Sequence, residues 1–168
     1  MIDLSQLHEI GHKSSEDVLE YSGTWRLHKE NELLRIELDG ITSGEDESVH
    51  IPSHGWTWHT HPKDCPNIND CSIIPPSAND LGIFALRSSD QHLVISRKRV
   101  YWIKAARKYS DTEAENIERF FKIIEKYFDT STVSHETFDT VFELACRMSN
   151  FFKIYKFPNQ KLVSTNYS

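Results

Sequence analysis

The stretch WTWHTHPKDCPNINDCSIIPPSANDL, residues 56–81, carries the strongest indications of fold and function in the chain. It begins as a strand-like run, reaches a proline, continues irregularly and then opens a helix. Residues two apart in a strand point to the same face, so His59 and His61 are predicted to project together, about 6–7 Å apart along the strand. Ser77 and Asp80 have the spacing of a helix start, in which a serine caps the first turn and an acid lies within it. The order of strand, loop and helix N-terminus is what makes this stretch informative.

Two interpretations of these side chains remain open at this point. In the first, His59, His61 and Asp80 bind a zinc ion, because zinc takes nitrogen, oxygen and sulfur ligands and a catalytic site uses three protein ligands plus water. A bound zinc lowers the pKa of its water toward about 7, which provides a hydroxide near neutral pH. In the second, the histidines are an exposed pair, and Ser77 with Asp80 only caps a helix, which needs no metal.

The flanking sequence predicts alternating helices and strands on both sides of this stretch. Apolar residues at three- and four-residue spacing indicate helices, and alternating apolar residues indicate strands. Asp39-Gly40 is typical of a turn, and Gly23 is expected to allow a bulge or a close backbone approach. The predicted helices cover residues 3–14, about 77–89, 111–129 and 135–153, and the predicted strands cover 17–29, 33–38, 49–59, 92–96 and 100–104. The order predicts an α/β domain with a mostly antiparallel sheet flanked by helices.

The bulk properties restrict the classes of partner. The chain has 168 residues, 38% of them hydrophobic, which is enough for one domain with a sizeable core. A net charge of −6 argues against nucleic acid or an anionic membrane as the main partner. No apolar run is long enough to span a bilayer. The N-terminal stretch has acids and histidines where a secretory signal would be apolar, so we expect an intracellular protein, cytoplasmic or nuclear.

The three cysteines do not form a disulfide framework. Cys65 and Cys71 both lie between the histidines and Ser77, whereas Cys146 is far away in sequence. An odd and sparse set favours free thiols in a reducing compartment. A local disulfide between Cys65 and Cys71, or a second metal site formed by them, remains an alternative.

The central stretch resembles the JAMM motif of the MPN metalloprotease family. That motif consists of His-x-His-Pro, a gap and Ser-x-x-Asp, with a glutamate upstream on the first core strand, often as Glu-x-x-Gly. The matching segments here are Trp58-His59-Thr60-His61-Pro62, Pro76-Ser77-Ala78-Asn79-Asp80-Leu81 and Glu20-Tyr21-Ser22-Gly23. The resemblance covers residues 3–105 and implies an MPN-like (cytidine-deaminase-like) catalytic core over 1–110. A helical extension over 111–168, ending in two C-terminal helices, would pack on that core.

The resemblance also implies a role for each matching residue. His59, His61 and Asp80 would bind Zn²⁺, and Glu20 would be the general base that takes a proton from the zinc-bound water. Ser77 would donate a hydrogen bond to the oxyanion of the tetrahedral intermediate. The implied activity is hydrolysis of an isopeptide bond of ubiquitin or a ubiquitin-like protein. The C-terminal helices would then either complete the core or serve protein assembly, as they often do in the family.

Two departures from the family pattern leave alternatives open. The gap from His61 to Ser77 is 16 positions, longer than is usual, and its cysteine-bearing insertion is similar to that of JAMM-like proteins of large DNA viruses, so a virus-encoded protein is one interpretation. Glu16 competes with Glu20 as the base, because strand alternation would put both on one side. Three hypotheses follow: an active zinc isopeptidase, a non-catalytic MPN-like binding or scaffold module, and a small α/β binding domain with a capped helix.

Overall fold

The chain folds into one mixed sheet with four helices in the part that the structure describes. This computed structural model describes residues 1–44, 50–62, 74–87, 90–128 and 133–164. The helices are α1 (Ser5–Asp17), α2 (Ala78–Leu86), α3 (Asp111–Tyr127) and α4 (His135–Ser149). The strands are β1 (Ile2–Asp3), β2 (Tyr21–Glu30), β3 (Leu33–Ser43), β4 (Thr57–Thr60), β5 (His92–Ile95), β6 (Arg99–Ala105), β7 (Phe152–Pro158) and β8 (Leu162–Val163).

The sheet is mostly antiparallel and nearly closes on itself. Its strand order is β7-β6-β5-β4-β2-β3-β1-β8, and among these described neighbours only β1–β3 and β4–β5 pair in parallel. The two edge strands, β7 and β8, follow each other in sequence, so residues 159–161 connect opposite edges of the sheet. Hydrogen bonds fix this connection, from Asn159 N to Lys98 O at 2.9 Å and from Leu4 N to Lys161 O at 2.8 Å. The predicted α/β class and the mostly antiparallel sheet are confirmed.

The sheet separates two hydrophobic cores. Alternation along β5 sends Leu93 and Ile95 into the core beneath α1, whereas Val94 faces the core shared with α2, α3 and α4. The same alternation along β4 places Trp58 with the α1 core. Side chains at odd positions of β4, including His59, therefore lie on the side of α2.

A bulge replaces the turn predicted at Asp39-Gly40. Strand β3 runs through both residues to Ser43, and its pairing with β2 shifts register between Ser22 and Thr24. Gly40 adopts φ +61° within this irregularity. A Cβ at Gly23 would lie only 2.4 Å from the Asp39 carbonyl oxygen, so the close backbone approach predicted for Gly23 is confirmed.

The predicted strands at 17–29 and 49–59 are both shorter than the sequence indicated. Helix α1 continues to Asp17, Val18 turns the chain with φ 55°, and β2 begins only at Tyr21. Residues 50–56 form no strand. Arg87 instead holds this segment, donating to the carbonyl oxygens of Pro52 (2.8 Å) and Gly55 (3.1 Å).

The two predicted C-terminal helices are present but are not C-terminal. Helix α4 ends at Ser149 rather than at residue 153, because Asn150 adopts a left-handed conformation with φ 55°. Strand β7 then pairs along the whole of β6, and β8 pairs with β1. The helical extension expected for 111–168 therefore also supplies both edge strands of the sheet. Among the described residues, no helix is long and apolar enough to cross a membrane.

Candidate metal centre

Three predicted ligands meet between β4 and the first turn of α2. His59 Nε2 lies 3.0 Å from His61 Nε2. Asp80 approaches both rings, with Oδ1 3.4 Å from His59 Nε2 and Oδ2 3.3 Å from His61 Nε2. One ligand atom from each residue lies within 4.8 Å of the other two. Two neighbouring histidines and an aspartate about 20 residues further along the chain thus point at one small volume.

The spacing of these atoms fits a zinc ion. Zinc bonds of about 2.0–2.1 Å in a tetrahedron place neighbouring ligand atoms roughly 3.3 Å apart. The closest distances in the cluster run from 3.0 to 3.4 Å, with Asp80 approaching His59 through Oδ1 and His61 through Oδ2. Two imidazoles and one carboxylate are also a donor set that zinc accepts in catalytic sites. These three residues could therefore hold a metal ion.

Strand pairing positions the histidines. His59 lies in β4 between β2 and β5, opposite Ser22 and Val94, and is buried. His61 follows the strand, and its backbone N–H donates to the Ile95 carbonyl at 2.9 Å, which continues the pairing one residue further. Both rings therefore stand on rigid backbone on the side of α2.

The helix cap positions the third ligand. Ser77 Oγ accepts a hydrogen bond from Asp80 N at 3.1 Å, and Ser77 N donates to Asp80 Oδ2 at 2.8 Å, which is a complete capping box. The same carboxylate faces both histidines. The two interpretations of Ser77 and Asp80 are therefore compatible, because the cap is what orients the carboxylate toward the imidazoles.

Burial and charge oppose each other within the cluster. Burial disfavours the ionised form of Asp80, yet the two adjacent histidines hold its pKa well below the ordinary value. Burial likewise disfavours protonated His61, but hydrogen bonding to Asp80 and the charges of Asp80 and Glu20 raise its pKa, and the Pro75 carbonyl acts in the same direction. The cluster is built to hold positive charge beside Asp80, whether a proton or a metal ion supplies it.

All five motif residues line one cleft of about 610 Å³. Glu20, at the entry to β2, and Ser77, at the start of α2, lie on its wall with the three ligands. Glu16, the competing base, lies in α1, is exposed and does not line this cleft. The cleft lining also includes the apolar side chains of Ile51, Ile83 and Leu86 and the charged side chain of Arg87.

The sequence did not predict a role for His92, which lies in β5 next to the ligand cluster. His92 is buried, its Nδ1 lies 2.8 Å from Thr57 Oγ1, and its ring stacks on Phe84 with centroids 3.9 Å apart. Burial and the charge of Arg87 lower the pKa of His92 to about 3. Phe84 also contacts His59. The segment HLVIS indicated only a strand, since its role depends on pairing with β4.

The cysteines do not contribute to the described part of the site. Cys65 and Cys71, and with them the proposed disulfide or second metal site, lie outside the described residues. Cys146 is a buried free thiol on α4, and burial raises its pKa. It packs in the core beside α3, away from the ligand cluster.

Comparison with family models, curated proteins and solved structures found no match for this chain.

Proposed function

We propose that the protein is a zinc-dependent isopeptidase or peptidase of the JAMM type with an MPN-like fold. The observation that carries the proposal is that His59, His61 and Asp80 converge at ligand spacing in a cleft that Glu20 and Ser77 also line. The order of the five residues along the chain, which resembles the JAMM motif, supports the same assignment. Zinc is favoured over magnesium or calcium because two of the three donors are imidazoles.

Each residue has a distinct chemical task in this proposal. The two histidines and Asp80 hold the ion, which when bound supplies Lewis-acid activation of water and of the scissile carbonyl. Glu20 accepts a proton from the attacking water and passes it to the leaving amine. Ser77 Oγ accepts from Asp80 N, so its own hydrogen remains available to a developing oxyanion.

The proposed substrates are conjugates of ubiquitin or of a ubiquitin-like protein. An isopeptide bond presents a carbonyl to Ser77 and a lysine amine to Glu20, which matches the two polar groups on the cleft wall. Apolar side chains in the cleft lining, Ile83 and Leu86 among them, offer a surface against which an extended tail of such a protein would pack.

A second function, protein assembly, is favoured by the outer surfaces of α3 and α4. Several large apolar side chains on these helices are exposed, and an apolar surface of this kind is where a protein partner would bind. They are Phe120, Ile123 and Tyr127 on α3, and Leu144 and Met148 on α4. A scaffold role and catalysis are compatible, because this surface belongs to other elements than the cleft.

Replacement of Glu20 by glutamine tests the catalytic proposal. The variant retains the fold and the zinc, because Gln preserves shape and the ligands are unchanged, but we expect its kcat to fall by roughly 10²–10⁴-fold or more. Cleavage of a panel of ubiquitin dimers and ubiquitin-like fusions would be followed on gels, with and without a chelator.

Glu16→Gln is the matched control for this experiment. It changes the same functional group on the exposed side of α1, so its activity should equal that of the wild type. Full activity in Glu20→Gln with loss in Glu16→Gln would show that the base is wrongly assigned. Zinc-loaded wild type that cleaves nothing in the panel would favour the scaffold function instead.

A further inference from the structure

Three hydrogen bonds link α1, β2 and β4 on the side of the sheet opposite the ligand cluster. Ser14 Oγ lies 2.6 Å from the Leu19 carbonyl oxygen and 2.7 Å from Thr60 Oγ1, and Tyr21 N donates to Thr60 Oγ1 at 2.8 Å. Ser14 and Thr60 are completely buried. Neither hydroxyl has a part in the proposed chemistry, since both point away from the cleft.

The two hydroxyls connect the backbone groups on either side of residue 20. Ser14 has one hydroxyl hydrogen, which it shares between two acceptors, the Leu19 carbonyl oxygen and Thr60 Oγ1. Thr60 Oγ1 also accepts a hydrogen bond from the Tyr21 N–H. The result is a continuous set of hydrogen bonds from the Tyr21 amide through two hydroxyls to the Leu19 carbonyl.

These hydrogen bonds hold the backbone on both sides of Glu20. Leu19 and Tyr21 are its neighbours on either side, so one hydroxyl pair fixes the backbone immediately before and immediately after the proposed base. The preceding residues turn sharply at Val18, where φ is 55°, and residue 20 lies just outside the regular pairing of β2. The Glu20 carbonyl itself accepts a hydrogen bond from Gly44 N at 2.8 Å.

Thr60 also connects the base to the metal ligands. It lies between His59 and His61, and alternation along β4 sends its side chain to the α1 face while the imidazoles point to the α2 face. Any shift of β4 would therefore move the ligands and the Glu20 backbone together.

We infer that Ser14 and Thr60 are positioning residues, which hold Glu20 at a fixed location relative to His59 and His61. The inference rests on the proposed function, since it assigns a purpose to the placement of the base. Catalysis of this kind is sensitive to placement, and a displacement of about 1 Å in a reacting group can cost on the order of 10²-fold in rate.

Thr60→Val tests the inference, because valine keeps the shape and removes the hydroxyl. We expect zinc content and KM to be unchanged and kcat to fall roughly 10- to 100-fold, with Thr60→Ser restoring activity. In a Glu20→Gln background, Thr60→Val should lower the remaining rate no further, since its effect acts through Glu20. Hydrogen exchange at the Tyr21 amide, measured by NMR, should accelerate in Thr60→Val whether or not substrate is present.

Ser96→Ala is the matched control. Ser96 is also a buried hydroxyl that bonds to backbone, at Arg99 in the turn between β5 and β6, and its loss should leave kcat unchanged. If Thr60→Val is insoluble, Ser14→Ala replaces it, with a reduced kcat and retained zinc expected.

The outcomes separate this inference from the proposed function. An active wild type whose Thr60→Val and Ser14→Ala variants keep full kcat would overturn the inference and leave the function intact. Loss of zinc in Thr60→Val would also overturn it, because the hydroxyl would then support the ligands and not the base. A wild type that binds zinc but hydrolyses nothing would remove the proposed function and the inference with it.

Discussion

At the residue scale, buried ionisable side chains hold opposite charge states around one cluster. Asp80 is kept ionised by His59 and His61, whereas His92, one strand away, is kept neutral by burial and by Arg87. A neutral His92 behind the cluster avoids adding a positive charge that would compete with a cation at the ligands. The pattern suits a cation site, because positive charge beside Asp80 offsets the cost of burying its carboxylate.

In the metal-free protein, His92→Gln should make the free energy of unfolding depend less on pH below pH 6.5. The folded-state pKa of His92 is about 3, below the ordinary 6.5, so its contribution to stability is present above pH 6.5 and is lost as the pH falls toward 3. The corresponding slope is up to about 1.4 kcal/mol per pH unit. Urea unfolding of the wild type and the variant at several pH values between 7 and 4 measures this slope. If the free energy of unfolding falls equally with pH in both proteins, the lowered pKa of His92 is contradicted.

At the element scale, the N-terminus of α2 combines a structural task with a chemical one. Ser77 caps the helix, Asp80 completes the capping box, and Glu125 of α3 accepts a further hydrogen bond from Ala78 N at 2.6 Å. The first turn is thus held both from within and from a neighbouring helix. That rigidity is what a ligand and an oxyanion donor placed on a helix start require.

Ser77→Ala and Ser77→Gly separate these two tasks. Alanine at the cap position should cost about 0.5–2 kcal/mol of stability and glycine only a few tenths. Both remove the hydroxyl, so both should lower kcat by about 10²–10³-fold. Thermal unfolding and steady-state kinetics on the same samples check this pair. Activity that follows stability across the two variants would show that the serine acts as a cap alone.

The sequence predicted elements best where the deciding interactions are local. The Ser77 cap, the β5–β6 hairpin and the amphipathic helices α3 and α4 all follow from short-range spacing. The prediction of a turn at Asp39-Gly40 was wrong, because β3 continues through these residues and pairs with β2 across a bulge. His92 and the Ser14–Thr60 pair could not be predicted, since their roles depend on contacts between elements distant in sequence.

At the scale of the whole molecule, β7 connects the two cores. Phe152 packs in the core with α3 and α4, whereas Phe157, an odd number of residues later, packs in the core beneath α1. The sequence predicted a helix followed by a polar tail here and missed β7. Its partner β6 precedes it by two helices, α3 and α4, so the pairing is not visible in the local sequence.

Phe157→Ala should therefore destabilise the entire protein. Removal of a buried phenylalanine typically costs about 3–5 kcal/mol, whereas Tyr155→Ala, at a half-exposed position of the same strand, should cost much less. Chemical denaturation of both variants measures the difference. Equal and small effects would show that β7 contributes little to the fold.

The central claim is that His59, His61 and Asp80 bind one zinc ion, and metal stoichiometry with X-ray absorption on the purified protein tests it most directly. We predict one zinc per wild-type chain, nitrogen and oxygen ligands at about 2.0–2.1 Å, and loss of the ion in His59→Ala and Asp80→Ala. His28→Ala, which changes an exposed histidine on the β2–β3 hairpin, should retain it. A folded wild-type protein that takes up no stoichiometric zinc, or a His59→Ala variant that keeps it unchanged, would contradict the account.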